Sequence, residues 1–280
     1  MNTASTGQPG PVNSEEPPKT PPHDGYNTID MSRPHSARRY DALLGGRDNF
    51  AADRESAARL AEALPSIRAA AIENRRFLRR VVSFLAAEAG IRQFPDIGTG
   101  IPTSPNVHEI AQAVASHARV VYVDNDPLVI AHARALTTST PNGTTASVQA
   151  DLRSPDTILS HPELRTALDF YKPIGLLLIA VLHFLDDTDD PYTSLARLIE
   201  ALPSGSYLAL SHATFDPLPP DVVEKLTALA DPSAVYGTFR ARTRDEVARF
   251  LDGLKLVDPG LVSIVDLAAR ARAQARDISA

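Results

Sequence analysis

The 280-residue sequence predicts an α/β domain, a mostly parallel, doubly wound sheet preceded by a helical extension. Two observations carry this expectation. From about residue 91 onward, short apolar runs such as RVVYVD (119–124) and IGLLLIA (174–180) alternate with helix-length stretches. Strands that are apolar at successive positions are buried on both faces, as in a parallel sheet covered by helices. The first three runs also end on glycine or acidic residues, DIGTG, DND and AD. In a doubly wound sheet those ends face one crevice.

Residues 1–25 contain six prolines and almost nothing large and apolar, so they read as a disordered tail. Residues 26–90 form the helical extension. Ser32, with Pro34 in the first turn, predicts a helix start, and Gly45-Gly46 predicts its stop. A second helix covers about 53–64 and ends at Pro65. A third begins at Ser66 and places Ile67, Ala70, Phe77, Val81 and Leu85 on one face before Gly90. Residues 91–280 then form the ligand-binding domain. Its strands are expected at 93–97, 119–124, 145–150, 174–180 and 205–211, with a further short one at 254–257. Helices are expected at 106–117, 127–136, 191–202, 220–230 and 243–251, with one or two short ones within 154–168.

Composition excludes several function classes. There are 28 basic and 34 acidic residues, a net charge of −6, and no Lys/Arg-rich run, which argues against a nucleic-acid partner. Cysteine is absent, which removes disulfides, thiolate metal sites and cysteine nucleophiles. The longest strongly apolar run, 174–185, contains His183 and falls short of the roughly 20 residues that span a bilayer. The opening residues lack the basic and apolar regions of a signal peptide, so a cytoplasmic protein with no membrane partner is expected. Asp186, Asp187, Asp189 and Asp190 read as a solvated turn, because a calcium loop needs alternating oxygen donors and a distal Glu. His108, His117 and His132 are too scattered for zinc, so no metal is expected.

The chemistry lies at the strand ends. Glycines at 98 and 100 let backbone approach a ligand closely, with Asp96 and Thr99 in the same turn, although a plain tight turn also reads this way. Asp124, leading Asn125 and Asp126, stands where a carboxylate accepts hydrogen bonds from ribose hydroxyls. Asp151 is placed to accept from an adenine amino group while Leu152 packs on the ring. Three such elements on consecutive strands point to an adenosine-containing ligand. DIGTGIPT lacks the third glycine of a dinucleotide turn, and Pro102 and Pro105 remove donors that a pyrophosphate needs. An adenosine carrying an amino acid has no such need. A nicotinamide-dependent oxidoreductase is the weaker reading.

SARRYDALLGGRDNFAADR (36–54), DIGTGIPTSPNVHE (96–109), VVYVDNDPLVIAHARAL (120–136), ADLRSP (150–155), AVLHFL (180–185) and GSYLALSH (205–212) together resemble the S-adenosylmethionine-dependent methyltransferase-like proteins of actinobacteria. The resemblance covers about residues 30–260. It implies a class I methyltransferase (Rossmann-like) fold with an added N-terminal helical region, S-adenosylmethionine as cofactor and S-adenosylhomocysteine as product. On that resemblance Gly98, Thr99 and Gly100 line the methionine part, Asp96 orders their loop, and Asp124 holds the ribose. Asn125 and Asp126 flank the adenosine, Asp151 and Leu152 meet the adenine, and Val181 lies in the floor beside the transferring methyl. The YDALLGGRDNF stretch would close over the pocket. The fold's usual final antiparallel strand is expected to be missing or altered, because 268–276 holds five Ala and three Arg and no β-branched residue.

His183, where the fourth strand gives way to its loop, and His212, after the fifth, are candidate bases for deprotonating an acceptor. A histidine bonded to backbone at a strand end is the plainer reading of either. His35 and Tyr40 are candidates for ligand contact from the extension. Arg47 is a candidate fork for the methionine carboxylate, against an exposed ion pair with Asp48. Arg68, Arg75, Arg76, Arg79 and Arg80 read as the wet face of the third helix. The expected activity is methyl transfer to the oxygen or nitrogen of a small molecule. A cofactor-binding sensor or regulatory protein is the rival, since both need the same pocket.

Overall fold

The computed structural model describes residue 1 and residues 30–229 and 238–267. Most of the expected tail, the first residues of the extension, the last residue of the 220–230 helix and the 268–276 stretch lie outside them. Among the described residues three helices come first: α1 (Ser36–Leu44), α2 (Ala51–Ala63) and α3 (Ile67–Ala87). Then follow β1 (Gln93–Ile97), α4 (Val107–Val114), β2 (Arg119–Asp124), α5 (Pro127–Leu136) and β3 (Thr144–Gln149). The two short helices α6 (Pro155–Ser160) and α7 (Pro162–Ala167) precede β4 (Gly175–Ile179), α8 (Pro191–Glu200), β5 (Tyr207–Ser211), α9 (Pro220–Leu229) and α10 (Arg244–Arg249).

Among the described residues the sheet has five strands in the order β3-β2-β1-β4-β5, all paired in parallel. The chain reverses its direction of winding between β1 and β4, which leaves a crevice at their carboxyl ends. Side chains alternate across the sheet as the strand period requires. Val121, Val123, Leu176 and Leu178 face α6, α7 and α8 through Ile158, Leu164 and Leu195. Val120, Tyr122 and Leu177 face the other way, onto Leu78, Val82 and Leu85 of α3 and Val107 and Ala111 of α4. The third helix of the extension is therefore one of the sheet's own covering layers. α1 and α2 close against it through a smaller apolar cluster of Leu43, Ala57 and Ala71.

Three expectations need correction. The first helix starts at Ser36, four residues after Ser32. Ser32 turns back onto Asp30, its N–H and hydroxyl both donating to Oδ1 at 2.9 and 2.6 Å. Pro34 disfavours helical backbone in the residue before it. His35 stays extended and gives its N–H to Asp53 Oδ1 at 2.8 Å. Residues 254–257 form no strand; Leu254 N–H closes a turn on Leu251, and Leu256 and Val257 are exposed. The buried stripe of α3 runs through Ala71, Asn74, Leu78, Val82 and Leu85, whereas Ala70 is exposed and Phe77 and Val81 are half-buried. A polar residue in the stripe hid its true phase.

Leu85 is 2% exposed in the layer between α3 and the sheet. Leu85→Ala is expected to cost about 2–5 kcal/mol in denaturant unfolding, because the sheet cannot collapse into the gap. Ile72→Ala, on the exposed side of the same helix, should change stability by less than about 0.5 kcal/mol. Equal losses at both positions would contradict this packing.

Candidate active site

A cavity of about 290 Å³ occupies the crevice. Its sheet side is built from strand ends. Gly98 continues the ladder, its N–H donating to Val123 O at 2.8 Å, with φ at 71°. A Cβ there would sit 2.2 Å from Val181 Cγ2, so only glycine lets the β1 loop pass the β4 end. The Thr99 hydroxyl donates to Asp96 Oδ2 at 2.8 Å, which fixes the turn. Gly100 N–H donates to Asp124 Oδ2 at 2.9 Å, and Asp126 N–H to Asp124 Oδ1 at 3.0 Å. Asp126 also caps α5 through Leu128 N–H at 2.8 Å.

The carboxylates differ in electrostatics. Burial pushes Asp96 up to about 6; the Thr99 hydrogen bond and the Arg75 charge oppose this, and the Asp124 charge adds to it. Burial also raises Asp124, against the two backbone N–H groups it accepts. Asp151 goes the other way, down to about 2, because the Arg153 guanidinium donates to both its oxygens, with further bonds from the Arg153 backbone N–H and Asn125. Leu152 beside it is buried and supplies an apolar wall.

The opposite wall comes from the extension. His35, Ala37 and Tyr40 of the α1 region, with Asn74, Arg75 and Leu78 of α3, face the β1 loop across the cavity. His35 Nδ1 lies 3.1 Å from Asp126 Oδ2, joining the start of α1 to the β2 loop. Arg75 donates to the carbonyls of Thr103 and Pro105, and its charge reaches Asp96.

The structure thus gathers Asp96, Gly98, Thr99, Gly100, Asp124, Asn125, Asp151, Leu152, Val181, His35 and Tyr40 around one cavity, with Asp126 directly behind it. Arg47 is elsewhere. It is exposed in the turn after α1, which Asp41 ties down by accepting from Asp48 N–H and Asn49 Nδ2. Two other guanidiniums line the cavity, Arg153, which is paired to Asp151, and Arg75 on the roof side.

His183 and His212 also lie outside the described lining. His183 is buried between Phe184 and Phe239, with ring centroids at 4.4 and 5.0 Å. Burial holds it well below the usual histidine value, and His212, Arg39 and Arg242 depress it further. Its Nδ1 takes a long contact from Ala213 N–H, at 3.4 Å. His212 is pushed down to about 4, again chiefly by burial. Its Nδ1 donates to Ala213 O at 2.7 Å, so Nε2 accepts from Arg242, 3.2 Å away. At this strand end Ala180, Val181 and Phe184 line the cavity, and His183 does not.

Arg242 was not anticipated. Fully buried, it donates to Leu182 O at 3.0 Å, Leu185 O at 3.2 Å and Asp187 Oδ1 at 2.7 Å, which fastens the loop after β4. The acidic turn serves that structure: Asp187 pairs with Arg240 and Arg242, and Asp190 caps α8. Among the described residues no group of three or more potential ligands is gathered for a metal.

Residues 22–278 match the family described as S-adenosyl methyltransferase. The chain belongs to that family. A DUF574 family protein of Streptomyces avermitilis MA-4680 is 47% identical with a TM-score of 0.80, over 84% of this chain and 89% of that one. A candidate methyltransferase of Thermobifida fusca YX is 43% identical with a TM-score of 0.76, over 84% of this chain and 86% of that one. No curated protein matches. The family makes S-adenosylmethionine the cofactor and S-adenosylhomocysteine the product.

The cavity fits that cofactor. Each Asp124 oxygen accepts one backbone N–H, and a carboxylate has about four acceptor sites, so two remain for hydroxyl donors. The close pass at Gly98 leaves bare backbone facing the cavity. Asp96, held mostly protonated below pH about 6, should ionise when a cationic ligand settles nearby. The sign follows from linkage: the free protein holds a proton the complex releases, so affinity rises with pH. S-adenosylmethionine affinity should increase about tenfold between pH 5 and 7 and flatten above, with proton release in calorimetry, and Asp96→Asn should flatten the whole profile. A profile already flat in the unaltered protein would contradict this.

Proposed function

We propose that this chain transfers the methyl group of S-adenosylmethionine to an oxygen or nitrogen of a small molecule. The observation that carries the reading is the roof: α1 and α3 face the strand ends across the cavity, so an acceptor must reach the cofactor beneath two helices, which suits a compact molecule. The net charge of −6 supports the same choice against a nucleic acid. In this reading Asp124 holds the ribose with Asn125 and Asp126 around the adenosine, and Asp151 and Leu152 take the adenine. The turn from Gly98 to Gly100 takes the methionine part. Arg75 replaces Arg47 as partner of the methionine carboxylate, since a guanidinium bonded to two carbonyls still has donors to spare.

The bound sulfonium supplies an already activated methyl, so the chain's task is mainly to hold the acceptor in line and keep water out. This suits a wall of Val181, Phe184 and Leu185, and it asks little of His183 or His212. The engagement of both histidines is also what a sensor that binds the cofactor without turnover would show.

Two measurements test the proposal. Methyl-labelled S-adenosylmethionine, incubated with the protein and a size-fractionated extract of its own organism, should label small metabolites, and Asp124→Ala should abolish the labelling. Tight binding with no labelled product in any fraction would favour the sensor, and label in RNA or protein would refute the acceptor class. Separately, Arg75→Ala should weaken S-adenosylhomocysteine about 10- to 100-fold while leaving adenosine unchanged, and Arg47→Ala should change neither. Equal losses for both ligands would remove Arg75 from the carboxylate.

A further inference from the structure

A directed chain of hydrogen bonds runs from the sheet to the roof beneath the cavity. Ala180 N–H donates to Ser211 Oγ at 3.0 Å, and the Ser211 hydroxyl donates to Asn74 Oδ1 at 2.7 Å. Asn74 Nδ2 donates to the Tyr40 hydroxyl at 3.1 Å, and that hydroxyl donates to Ala71 O at 3.0 Å. Both ends are backbone groups of fixed polarity, a donor at Ala180 and an acceptor at Ala71. The direction of every bond between them is therefore set, and with it the orientation of the Asn74 amide.

What this chain holds is a strained floor. Ala180 has φ at 57°, the left-handed region that favours glycine, yet it carries a side chain and lines the cavity. Its N–H is shared between Ser211 Oγ and Ser211 O, at 3.0 and 3.2 Å. The next residue, Val181, is the side chain that only a glycine at 98 can tolerate. Ala180 therefore aims Val181 at the β1 loop. Asn74 is 7% exposed, and it joins Ser211 on the floor side to Tyr40 on the roof side.

We infer that Asn74 is a positioning residue for methyl transfer, one that couples the placement of the α1 roof to the left-handed turn at Ala180 under the cofactor. The inference rests on the reading of this cavity as the cofactor site. Asn74 acts through its neighbours, by locking Tyr40 and Ser211 into one arrangement. Half-buried, raised by desolvation and already donating to Ala71, the Tyr40 hydroxyl is a strut in this arrangement and not a base.

The test uses the full chain with Tyr40→Phe, Ser211→Ala and their double variant, two residues that share Asn74. Amide exchange at Ala180 reads the chain itself, and calorimetry with S-adenosylhomocysteine reads its consequence. Tyr40→Phe should speed exchange at Ala180 about threefold or more, although the lost hydroxyl is on α1 and reaches Ala180 only through Asn74 and Ser211. Each single variant should weaken S-adenosylhomocysteine about tenfold, and the double variant should stay near tenfold, because either change already breaks the chain. In an Asn74→Ala background both further changes should be silent. A hundredfold loss in the double variant, or unchanged affinity in both singles alongside a lowered melting temperature, would overturn the inference. Should the unaltered protein bind no S-adenosylhomocysteine, the cofactor-site reading falls and takes the functional half with it. Exchange at Ala180 would still show whether the chain couples floor and roof.

Discussion

The site depends on a buried carboxylate without a tightly bound cation. Asp124 ends β2 with both oxygens held by backbone N–H groups, one from the β1 loop and one from the start of α5. A charge desolvated in this way is costly unless every acceptor position finds a donor. The backbone amides of Gly100 and Asp126 meet half of that demand, and the cost left over is what makes the position receptive to hydroxyl donors. The same two bonds fix the β1 and β2 loops relative to each other. Binding capacity and loop geometry therefore come from one interaction.

The second constraint is that α3 serves two purposes. Its lower half packs Leu78, Val82 and Leu85 onto the sheet. Its upper half turns Asn74 and Arg75 toward the cavity. A helix gripped by the core over several turns holds those two polar groups with little freedom, which is what a wall facing a ligand requires. α1 gains its position from the same helix through Tyr40, and from the sheet through His35 and Asp126. Arg38 and Asp53, both buried, tie α1 to α2 at 3.5 Å.

The sheet was legible because its signal is redundant. The VVYV centre of RVVYVD and nearly all of IGLLLIA are apolar, so a small error in their bounds changes nothing. The strand-end residues were legible for the same reason: once β1, β2 and β3 are placed, Asp96, Asp124 and Asp151 must share a rim. The roof was harder. Periodicity weighs residues by hydrophobicity, and Asn74 within a buried stripe and Arg75 beside it look like solvated positions. Arg47, in a glycine turn beside an expected lid, looked better placed than it is. Only the docking of α3 on the sheet shows that Arg75 reaches the cavity from the roof side. His183 and His212 were correctly located at strand ends, but their partners come from elsewhere in the chain. Arg242 lies 30 residues beyond His212 and occupies its Nε2, a contact no local pattern announces.

The central claim is that strand ends and extension helices form one ligand site. Hydrogen–deuterium exchange of the full chain with and without S-adenosylhomocysteine tests it most directly. The ligand should slow exchange in the loops after β1, β2 and β3 and, at the same concentration, in α1 and the cavity-facing half of α3. Protection confined to the strand-end loops, with α1 and α3 unchanged at saturation, would contradict it.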